Sequence, residues 1–145
     1  MGGVKVGGKN YKFEIIYYDD ESNSGRAAQL AERLIKQDGV QFMLGPYSSG
    51  LTKAMAPVTE KYGIPMVEAN GASRSLFTKG YKYLFAVLAP ANLYLDVAID
   101  LAVEKNGGKP VTVAMAFEQD AFSQDVRLGI LEAIERTGSK KVIDD

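Results

Sequence analysis

Apolar and polar positions repeat along the chain with two different periods, which predict strands in some segments and helices in others. Residues 11–18 alternate with a period of two, as a strand with one covered face does, and both faces become apolar towards its end. Residues 24–37 carry apolar side chains at helical spacing and predict an amphipathic helix, with Ser24 as its N-cap. The glycine-rich residues 2–10 predict turns, arranged as a small hairpin.

The same two periods continue to the end of the sequence and define the fold class. Further strands are predicted at 40–44, 64–68, 82–88, 111–117 and from 140 onwards, and further helices at 51–62, 91–104 and 123–136. The run 111–117 is apolar throughout, which is typical of a strand buried on both faces. Strands that alternate with helices over short loops predict an α/β fold, in which helices flank a mostly parallel sheet as three layers.

Composition removes several classes of function. The 145 residues suit one domain with at most the start of a second, and the net charge of -1 gives no attraction to nucleic acid or to an anionic membrane. The sequence contains no cysteine and no histidine, so disulfides, thiolate nucleophiles, histidine-ligated metals and a Ser-His-Asp triad are excluded. We therefore expect neither a cofactor nor a metal, and the balance is against an enzyme.

Neither a targeting segment nor a membrane span is expected from the hydrophobicity of the chain. The first residues run directly into glycine-rich polar sequence, without the apolar stretch of a signal peptide. The most apolar predicted helix, at 91–103, is interrupted by Asp96 and Asp100, which makes it too polar for a membrane span.

Three loops that follow predicted strands carry small, hydroxyl or aromatic residues: 47–50, 70–75 and 119–123. In a parallel sheet, ligands bind beyond the carboxyl ends of the strands, where such loops meet. The first loop, with Ser48 and Ser49, precedes a helix, and the unpaired N–H groups of a helix start favour a carboxylate or another small anion. The alternative is that one of these serines simply caps the helix. No nucleophile lies beside a base in these loops, which favours binding over catalysis.

Acidic residues elsewhere suggest alternative functions, and each of these lacks a required feature. Asp19 and Asp20 follow the first long strand, as the Mg²⁺-binding acids of a phospho-acceptor receiver domain do, but no later strand ends in an acceptor Asp. A solvated loop is the competing interpretation. The same acids disfavour a flavodoxin-like flavin site, because they would repel its phosphate. Glu68 and Glu118 are candidates for a glycosidase-like pair, although surface charge also accounts for them.

Several short segments, taken in their order along the chain, carry a further signal. They are 17–23, 37–40, 44–50, 56–58, 62–67, 70–73 and 120–123. Together they resemble the substrate-binding proteins of branched-chain amino-acid type ABC transporters, over essentially the whole chain. The resemblance implies the type I periplasmic-binding-protein fold, in which two flavodoxin-like α/β lobes close on a small ligand. It also implies an amino acid or related carboxylate as ligand, a membrane permease as partner, and a periplasmic or extracellular location.

By this resemblance, the candidate ligand-binding residues lie on loops at both sides of the cleft, and none is catalytic. They are Tyr47, Ser48, Ser49, Asn70, Ala72, Ser73 and Phe122. Ser49 is the best match for a hydroxyl bond to an α-carboxylate, and Ala72 and Ser73 match the loop that holds both the carboxylate and the amino group. Phe122 stands where the family usually has Tyr, so the hydrogen bond of that hydroxyl is lost.

The resemblance also implies how the chain divides and what it lacks. Residues 1–105 are expected to form most of the first lobe, 106–110 the hinge, and 111–145 the first βαβ unit of the second lobe. The family begins with a strand and a helix that are missing here, and that strand is central in the first sheet. We expect the neighbours of the missing strand to be buried by rearrangement or in a homodimer. A fragment that binds nothing, and serves only folding or assembly, is the remaining alternative.

Overall fold

Strands and helices alternate along residues 3–145, which are the residues described by this computed structural model; Met1 and Gly2 lie outside them. The helices are α1 (Ser24–Lys36), α2 (Ser49–Tyr62), α3 (Asp96–Lys105) and α4 (Ala121–Thr137). The strands are β1 (Val4–Val6), β2 (Lys9–Tyr11), β3 (Met43–Leu44), β4 (Met66–Glu68), β5 (Leu84–Ala86), β6 (Thr112–Met115) and β7 (Lys140–Asp144). Two short 3-10 turns are Arg74–Leu76 and Ala91–Leu93. Parallel pairing of β3 with β4, β4 with β5, and β6 with β7 confirms the predicted α/β class.

The first sheet has the strand order β3-β4-β5, and the helices that form its core lie on one of its faces. The register pairs Met43 with Met66 and Met66 with Leu84, and all three side chains are buried. They form the main core with apolar residues of α1 and α2, and these two helices also pack against each other. Because successive side chains of a strand point to opposite faces of the sheet, each of the three strands contributes one of these buried side chains to the covered face.

The opposite face of the first sheet is open, which differs from the three layers predicted. Leu44 pairs with Val67 and Val67 with Phe85 on this side, and Leu44 is 75% and Phe85 51% exposed. Phe42 and Val87 lie two residues away along their strands and are exposed on the same face. We call Phe42, Leu44, Phe85 and Val87 the open face. Nothing within residues 3–145 buries these four side chains, so the sheet has one covered layer here and not two.

The hairpin predicted near the start is confirmed from Val4 onwards, but the long strand predicted after it is wrong. β1 and β2 pair antiparallel across Gly7 and Gly8, which both have positive φ. Residues 12–20 form no strand, and Phe13 and Tyr17 are 72% and 85% exposed. A strand needs a neighbour that shares its backbone hydrogen bonds, and none of the strands in the described part of the chain pairs with this segment.

Capping side chains set the starts of α1, α2 and α4, and all three starts differ from the predicted ones; α2 begins at Ser49 and not at residue 51. Asn23, and not Ser24, caps α1, because its side chain accepts a hydrogen bond from the N–H of Arg26 at 2.9 Å. Asp120 caps α4, which therefore begins at Ala121, earlier than predicted. None of the helices within residues 3–145 combines the length and the apolar character that crossing a membrane requires.

β6 and β7 form a second, two-stranded sheet, and the predicted burial of β6 on both faces is wrong. Met115 is buried, whereas Thr112 and Ala114 are exposed. The reason is that β6 pairs with β7 alone, and no part of residues 3–145 covers the face that carries Thr112 and Ala114. An apolar run shows that a strand can be buried on both sides, but the covering elements must come from elsewhere.

The third predicted helix is divided into the 3-10 turn Ala91–Leu93 and α3. The first N–H of the turn donates to the carbonyl of Ala72 at 2.8 Å, which holds the turn against the loop after β4. α3 packs against α4, and a guanidinium nitrogen of Arg136 in α4 bonds the carboxylate of Asp100 in α3 at 2.7 Å. These contacts hold the turn against the loop after β4 and α3 against α4. The hinge at 106–110 stays a prediction.

Candidate functional site

The first candidate loop connects β3 to α2 and places Ser48 at the helix start in a strained conformation. Ser48 has φ 105° and ψ 149°, a region used almost only by glycine, and holding another residue there costs about 1–3 kcal/mol. Its Oγ accepts a hydrogen bond from the N–H of Leu51 at 3.2 Å, so Ser48 caps α2. A helix cap was the alternative to a ligand contact in the sequence analysis. The N–H groups of Ser49 and Gly50 lie in the first turn, where a helix offers them no acceptor.

The second candidate loop follows β4 and is joined to the first loop by a hydrogen bond. The N–H of Ser73 donates to Oγ of Ser49 at 3.1 Å, and Oγ of Ser73 lies 2.9 Å from Oγ of Ser75. Ser49 and Ser73 are each 1% exposed, so the structure brings these two predicted residues together and encloses them. Tyr47 and Asn70 are exposed on the same two loops.

Glu68, at the end of β4, is fully buried between the two loops, which corrects its interpretation as surface charge. Its Oε1 accepts hydrogen bonds from the N–H groups of Asn70 at 2.6 Å and Gly71 at 2.7 Å. Its Oε2 accepts one from the hydroxyl of Thr52 in α2 at 2.7 Å. A signal for this burial is present in the sequence, because Glu68 follows Met66 at the period of a strand and so shares its covered face.

An ion pair that the sequence did not reveal ties the second loop to α4. The carboxylate of Asp125 is buried and accepts hydrogen bonds from the backbone N–H and the Nε–H of Arg74, both at 2.8 Å. The hydrogen bond to Asp125 raises the pKa of the Arg74 guanidinium, and the opposing effect of burial is smaller. No local pattern predicts this pair, since its members are 51 positions apart. Arg74 directly follows Ser73, so the pair positions the second loop relative to α4.

Phe122, the predicted contact from the second lobe, packs beside the second loop. The buried residues Ala72, Ala91 and Val126 form a small apolar cluster, and Phe122 packs against it. The ring of Phe122 also meets the ring of Tyr94 edge to face, with 5.4 Å between the ring centroids. The structure therefore brings Ala72 and Phe122, which were predicted from different loops, into one apolar cluster.

Asp120 fixes the start of α4 and with it the position of Phe122. Its Oδ1 accepts the N–H of Phe122 at 2.8 Å and the N–H of Ser123 at 3.3 Å. Burial on its own would raise the pKa of Asp120, but hydrogen bonds from Ser123 and from the N–H of Phe122 outweigh it and hold the pKa below its usual value. Beside this helix start lies a cavity of about 350 Å³. Its wall is mainly apolar and includes Leu95, Met115, Phe117, Phe122, Val126 and Ile130.

The acids considered for other functions have local contacts. Oδ1 of Asp19 accepts the N–H of Glu21, and Oδ1 of Asp20 accepts the N–H of Ser22, both at 2.8 Å. Each aspartate thus stabilises its own turn, as a polar loop residue does. Glu118, the other member of the glycosidase-like pair, is exposed after β6.

The sequence matches one protein family over nearly its whole length. Residues 2–145 match the family model described as periplasmic binding protein. The chain belongs to the periplasmic binding protein family. The chain is 24% identical over 140 residues to the leucine-, isoleucine-, valine-, threonine- and alanine-binding protein of Pseudomonas aeruginosa, over 96% of the chain and 37% of the relative. It therefore spans a little over a third of the length of that relative.

Two solved structures show the same fold as this chain. A solute binding protein of an ABC transporter from R. palustris, in complex with 4-hydroxybenzoate, has a TM-score of 0.76 at 25% identity, over 89% of this chain and 35% of that chain. An ABC transporter substrate-binding protein from Desulfitobacterium hafniense, in complex with Leu, has a TM-score of 0.79 at 18% identity, over 95% of this chain and 40% of that chain. These likenesses confirm the predicted type I periplasmic-binding-protein fold for the part of it that this chain forms.

Proposed function

We propose that the chain is the ligand-binding part of a solute-binding protein for an ABC importer, and that its ligand is a small carboxylate such as an amino acid. The observation that carries the proposal is the hydrogen bond from Ser73 to Ser49, which joins two hydroxyl-bearing loops beyond the ends of β3 and β4. The carboxyl ends of parallel strands are where α/β proteins bind small molecules. The relatives named above bind amino acids or 4-hydroxybenzoate by their names, and all of these ligands carry a carboxylate.

In this proposal the first turn of α2 receives the ligand carboxylate. The N–H groups of Ser49 and Gly50 supply donors at the end of the helix where its dipole favours negative charge. The hydroxyl of Ser48 accepts the N–H of Leu51 and keeps its own hydrogen for the ligand. The bond between Ser73 and Ser49 holds the second loop beside this point.

The remaining candidate residues surround the proposed carboxylate position. Tyr47 and Asn70 are exposed on the two loops and meet an entering ligand first. Asn70 contacts the ligand through its side chain, because its N–H is bonded to Glu68. Ala72 and Phe122 supply apolar contacts for the rest of the ligand, and the missing hydroxyl at Phe122 makes that side of the site less polar.

The same proposal describes a binding protein and not an enzyme. Its proposed contacts are N–H groups, hydroxyls and apolar surface, which hold a ligand without a nucleophile and base to transform it. A periplasmic or extracellular location, and docking on the membrane permease of an importer, belong to the proposal as well. The family description and the names of the relatives support these two points.

Isothermal titration calorimetry with leucine and with 4-hydroxybenzoate tests the proposal. Ser48→Ala removes the cap of α2 together with the proposed ligand hydroxyl, and Asn23→Ala removes the corresponding cap of α1 as a matched control. Each variant loses about 1 kcal/mol of stability, but only Ser48→Ala weakens binding. The proposal is refuted if the unaltered chain binds no small carboxylate, or if the two variants bind with equal affinity.

A second copy of the chain is the partner that we propose for the open face. Phe42, Leu44, Phe85 and Val87 place neighbouring apolar side chains in solvent, and monomeric proteins rarely expose large contiguous apolar patches. A two-fold symmetric pair buries such a face against itself. Light scattering during size-exclusion chromatography at micromolar concentration measures the mass: a monomer refutes the pair. A pair that binds no carboxylate supports the alternative of an assembly fragment.

A further inference from the structure

Glu68 is a charged side chain that is 0% exposed and makes none of the proposed ligand contacts. It ends β4, the middle strand of the first sheet, and lies on the face that α2 covers. Burying a carboxylate is unfavourable unless hydrogen bonds satisfy it. The partners that satisfy Glu68 therefore indicate its role.

These partners come from both candidate loops. On one side, Oε1 accepts the N–H groups of Asn70 and Gly71 in the second loop, at 2.6 and 2.7 Å. On the other side, Oε2 lies 2.7 Å from Oγ1 of Thr52, in the first turns of α2. Oγ1 of Thr52 is also 2.8 Å from the carbonyl oxygen of Ser48, the strained cap residue of the first loop. One buried carboxylate thus bonds the backbone of the second loop and contacts Thr52, whose hydroxyl also lies beside the backbone of the first loop.

Two glycines show how closely the loop backbones approach this connection. A Cβ at Gly45, which opens the first loop, would lie 1.9 Å from Oε2 of Glu68. A Cβ at Gly71, in the second loop, would lie 2.5 Å from Oγ1 of Thr52. Only glycine lets each backbone come this near, so both loops are packed directly around the Glu68–Thr52 contact.

We infer that Glu68 is a positioning residue that holds the two ligand loops together, so that Ser49 and Ser73 stay in hydrogen-bonding contact. This inference rests on the proposed ligand site. It also determines which backbone N–H groups are available to the ligand. Glu68 occupies the N–H groups of Asn70 and Gly71, so the ligand carboxylate binds at the first turn of α2 and not in the bend of the second loop.

The hydrogen count at Thr52 determines which variants test this role. Its hydroxyl has one hydrogen and two neighbouring acceptors, Oε2 of Glu68 and the carbonyl of Ser48. Glu68→Gln keeps an acceptor for the two N–H groups and adds a donor to Thr52, so it retains the connection. Glu68→Ala removes it. Thr52→Val removes the hydroxyl that contacts Glu68 and leaves the shape of the side chain almost unchanged. Thr52→Ser keeps this hydroxyl.

Thr59 provides a matched control on the same helix. It is 1% exposed, as buried as Thr52, and its hydroxyl bonds the carbonyl of Ala56 at 3.1 Å, within α2 itself. Thr59→Val therefore removes an equally buried hydroxyl that does not connect the loops.

The experiment measures the amide resonances of Asn70, Gly71 and Ser73 in the full chain by NMR, and leucine affinity by calorimetry. We expect Thr52→Val to shift all three resonances, although they belong to the other loop, and to weaken leucine binding roughly tenfold. Thr52→Ser and Glu68→Gln restore affinity to within about threefold of the unaltered chain. Thr59→Val leaves both measurements unchanged.

Two outcomes overturn the inference. One is that Thr52→Val shifts the three resonances no more than Thr59→Val does; the other is that Glu68→Ala binds leucine as the unaltered chain does. If Glu68→Ala does not fold, the comparison of Thr52→Val with Thr59→Val decides alone. If the unaltered chain binds no carboxylate, the proposed function fails, and the resonances still decide whether Glu68 holds the loops together.

Discussion

The ion pair between Arg74 and Asp125 predicts that Asp125→Ala destabilises the protein. Asp125 accepts two hydrogen bonds of 2.8 Å from Arg74, one from its backbone and one from its guanidinium. Truncation leaves the backbone N–H without an acceptor, and an unsatisfied buried donor costs about 1–3 kcal/mol. The guanidinium is half-buried and can turn towards water or towards Glu132, 3.7 Å away, so its share of the loss is small. We expect a total loss of about 2 kcal/mol.

Asp100→Ala is the matched control for this prediction. Asp100 also bonds an arginine twice, since its carboxylate accepts hydrogen bonds from Arg136 of α4 at 2.7 and 3.1 Å. Both side chains of this pair are exposed, so water takes the place of the lost partner. We expect no measurable loss of stability, although both carboxylates accept two hydrogen bonds from an arginine.

Urea denaturation followed by far-UV circular dichroism measures the free energy of unfolding of both variants and of the unaltered chain. A loss of about 2 kcal/mol corresponds to a fall of roughly 4–8 °C in Tm for a chain of this length. The amide resonance of Ser73 reports separately whether the second loop moves away from α4. Equal stability of Asp125→Ala and Asp100→Ala would refute the reasoning that burial, and not the number of hydrogen bonds, decides what each pair contributes.

Three further substitutions test the contacts that hold α4 and the second sheet. Gly129→Ala adds a Cβ 1.8 Å from the carbonyl oxygen of Asn92. We expect this clash to lower the Tm, although Ala has a better helix propensity than Gly. An unchanged Tm would show that the backbone of Asn92 does not pack this closely on Gly129. Asp120→Ala removes the cap of α4 and is expected to cost about 1 kcal/mol in urea unfolding. The hydrogen bond from Arg127 lowers the pKa of Asp144 from 3.8 to about 2. The ionised carboxylate of Asp144 therefore stabilises the folded protein above pH 4, and this stabilisation is lost as the pH falls towards 2. Asp144→Asn should flatten the pH dependence of Tm over that interval, and an unchanged slope contradicts this.

The helices were predictable from the sequence because their signals are local. The predicted helix at 24–37 is α1, and only its cap differs by one residue. Gly63 and Gly138 directly follow α2 and α4, and both adopt the left-handed conformation, with φ 66°, that commonly ends a helix. A capping side chain and a terminal glycine act within one helical turn, so nearby residues suffice to place them.

The strands were less predictable because a strand depends on a neighbour that can be far away in the chain. Residues 11–18 carry the alternation of a strand, but 12–18 have no pairing partner among residues 3–145, form no strand and are exposed. The run 111–117 shows the same limit, since its apolar character predicts cover on both faces and the structure has cover on one. A periodic pattern reports what a segment can bury, and the topology decides what it does bury.

The candidate site was predictable in place but not in its supports. The rule that ligands meet the carboxyl ends of parallel strands located both hydroxyl loops, and Ser49 and Ser73 do meet there. Glu68 was interpreted as surface charge although its spacing from Met66 places it on the covered face of β4, since the hydroxyl that satisfies its Oε2, on Thr52, is 16 positions away. The partner of Asp125 is likewise distant in the chain. The strand period identifies a polar residue on a covered face, but only the fold shows the partners that allow its burial there.

The supports of the site adjoin the part of the fold that lacks cover. Glu68, the bond between Ser49 and Ser73, and the Arg74–Asp125 pair all lie at the ends of β3 and β4 or on α4. None of these contacts involves residues 12–20, but the carbonyl oxygen of Glu68 accepts a hydrogen bond from the N–H of Val87 in the open face at 3.0 Å. Residues that share a hydrogen bond are close enough to couple, so association through the open face is expected to affect the geometry of the ligand loops. The carboxylate affinity, measured at protein concentrations below and above the association that light scattering detects, tests this coupling: equal affinities contradict it.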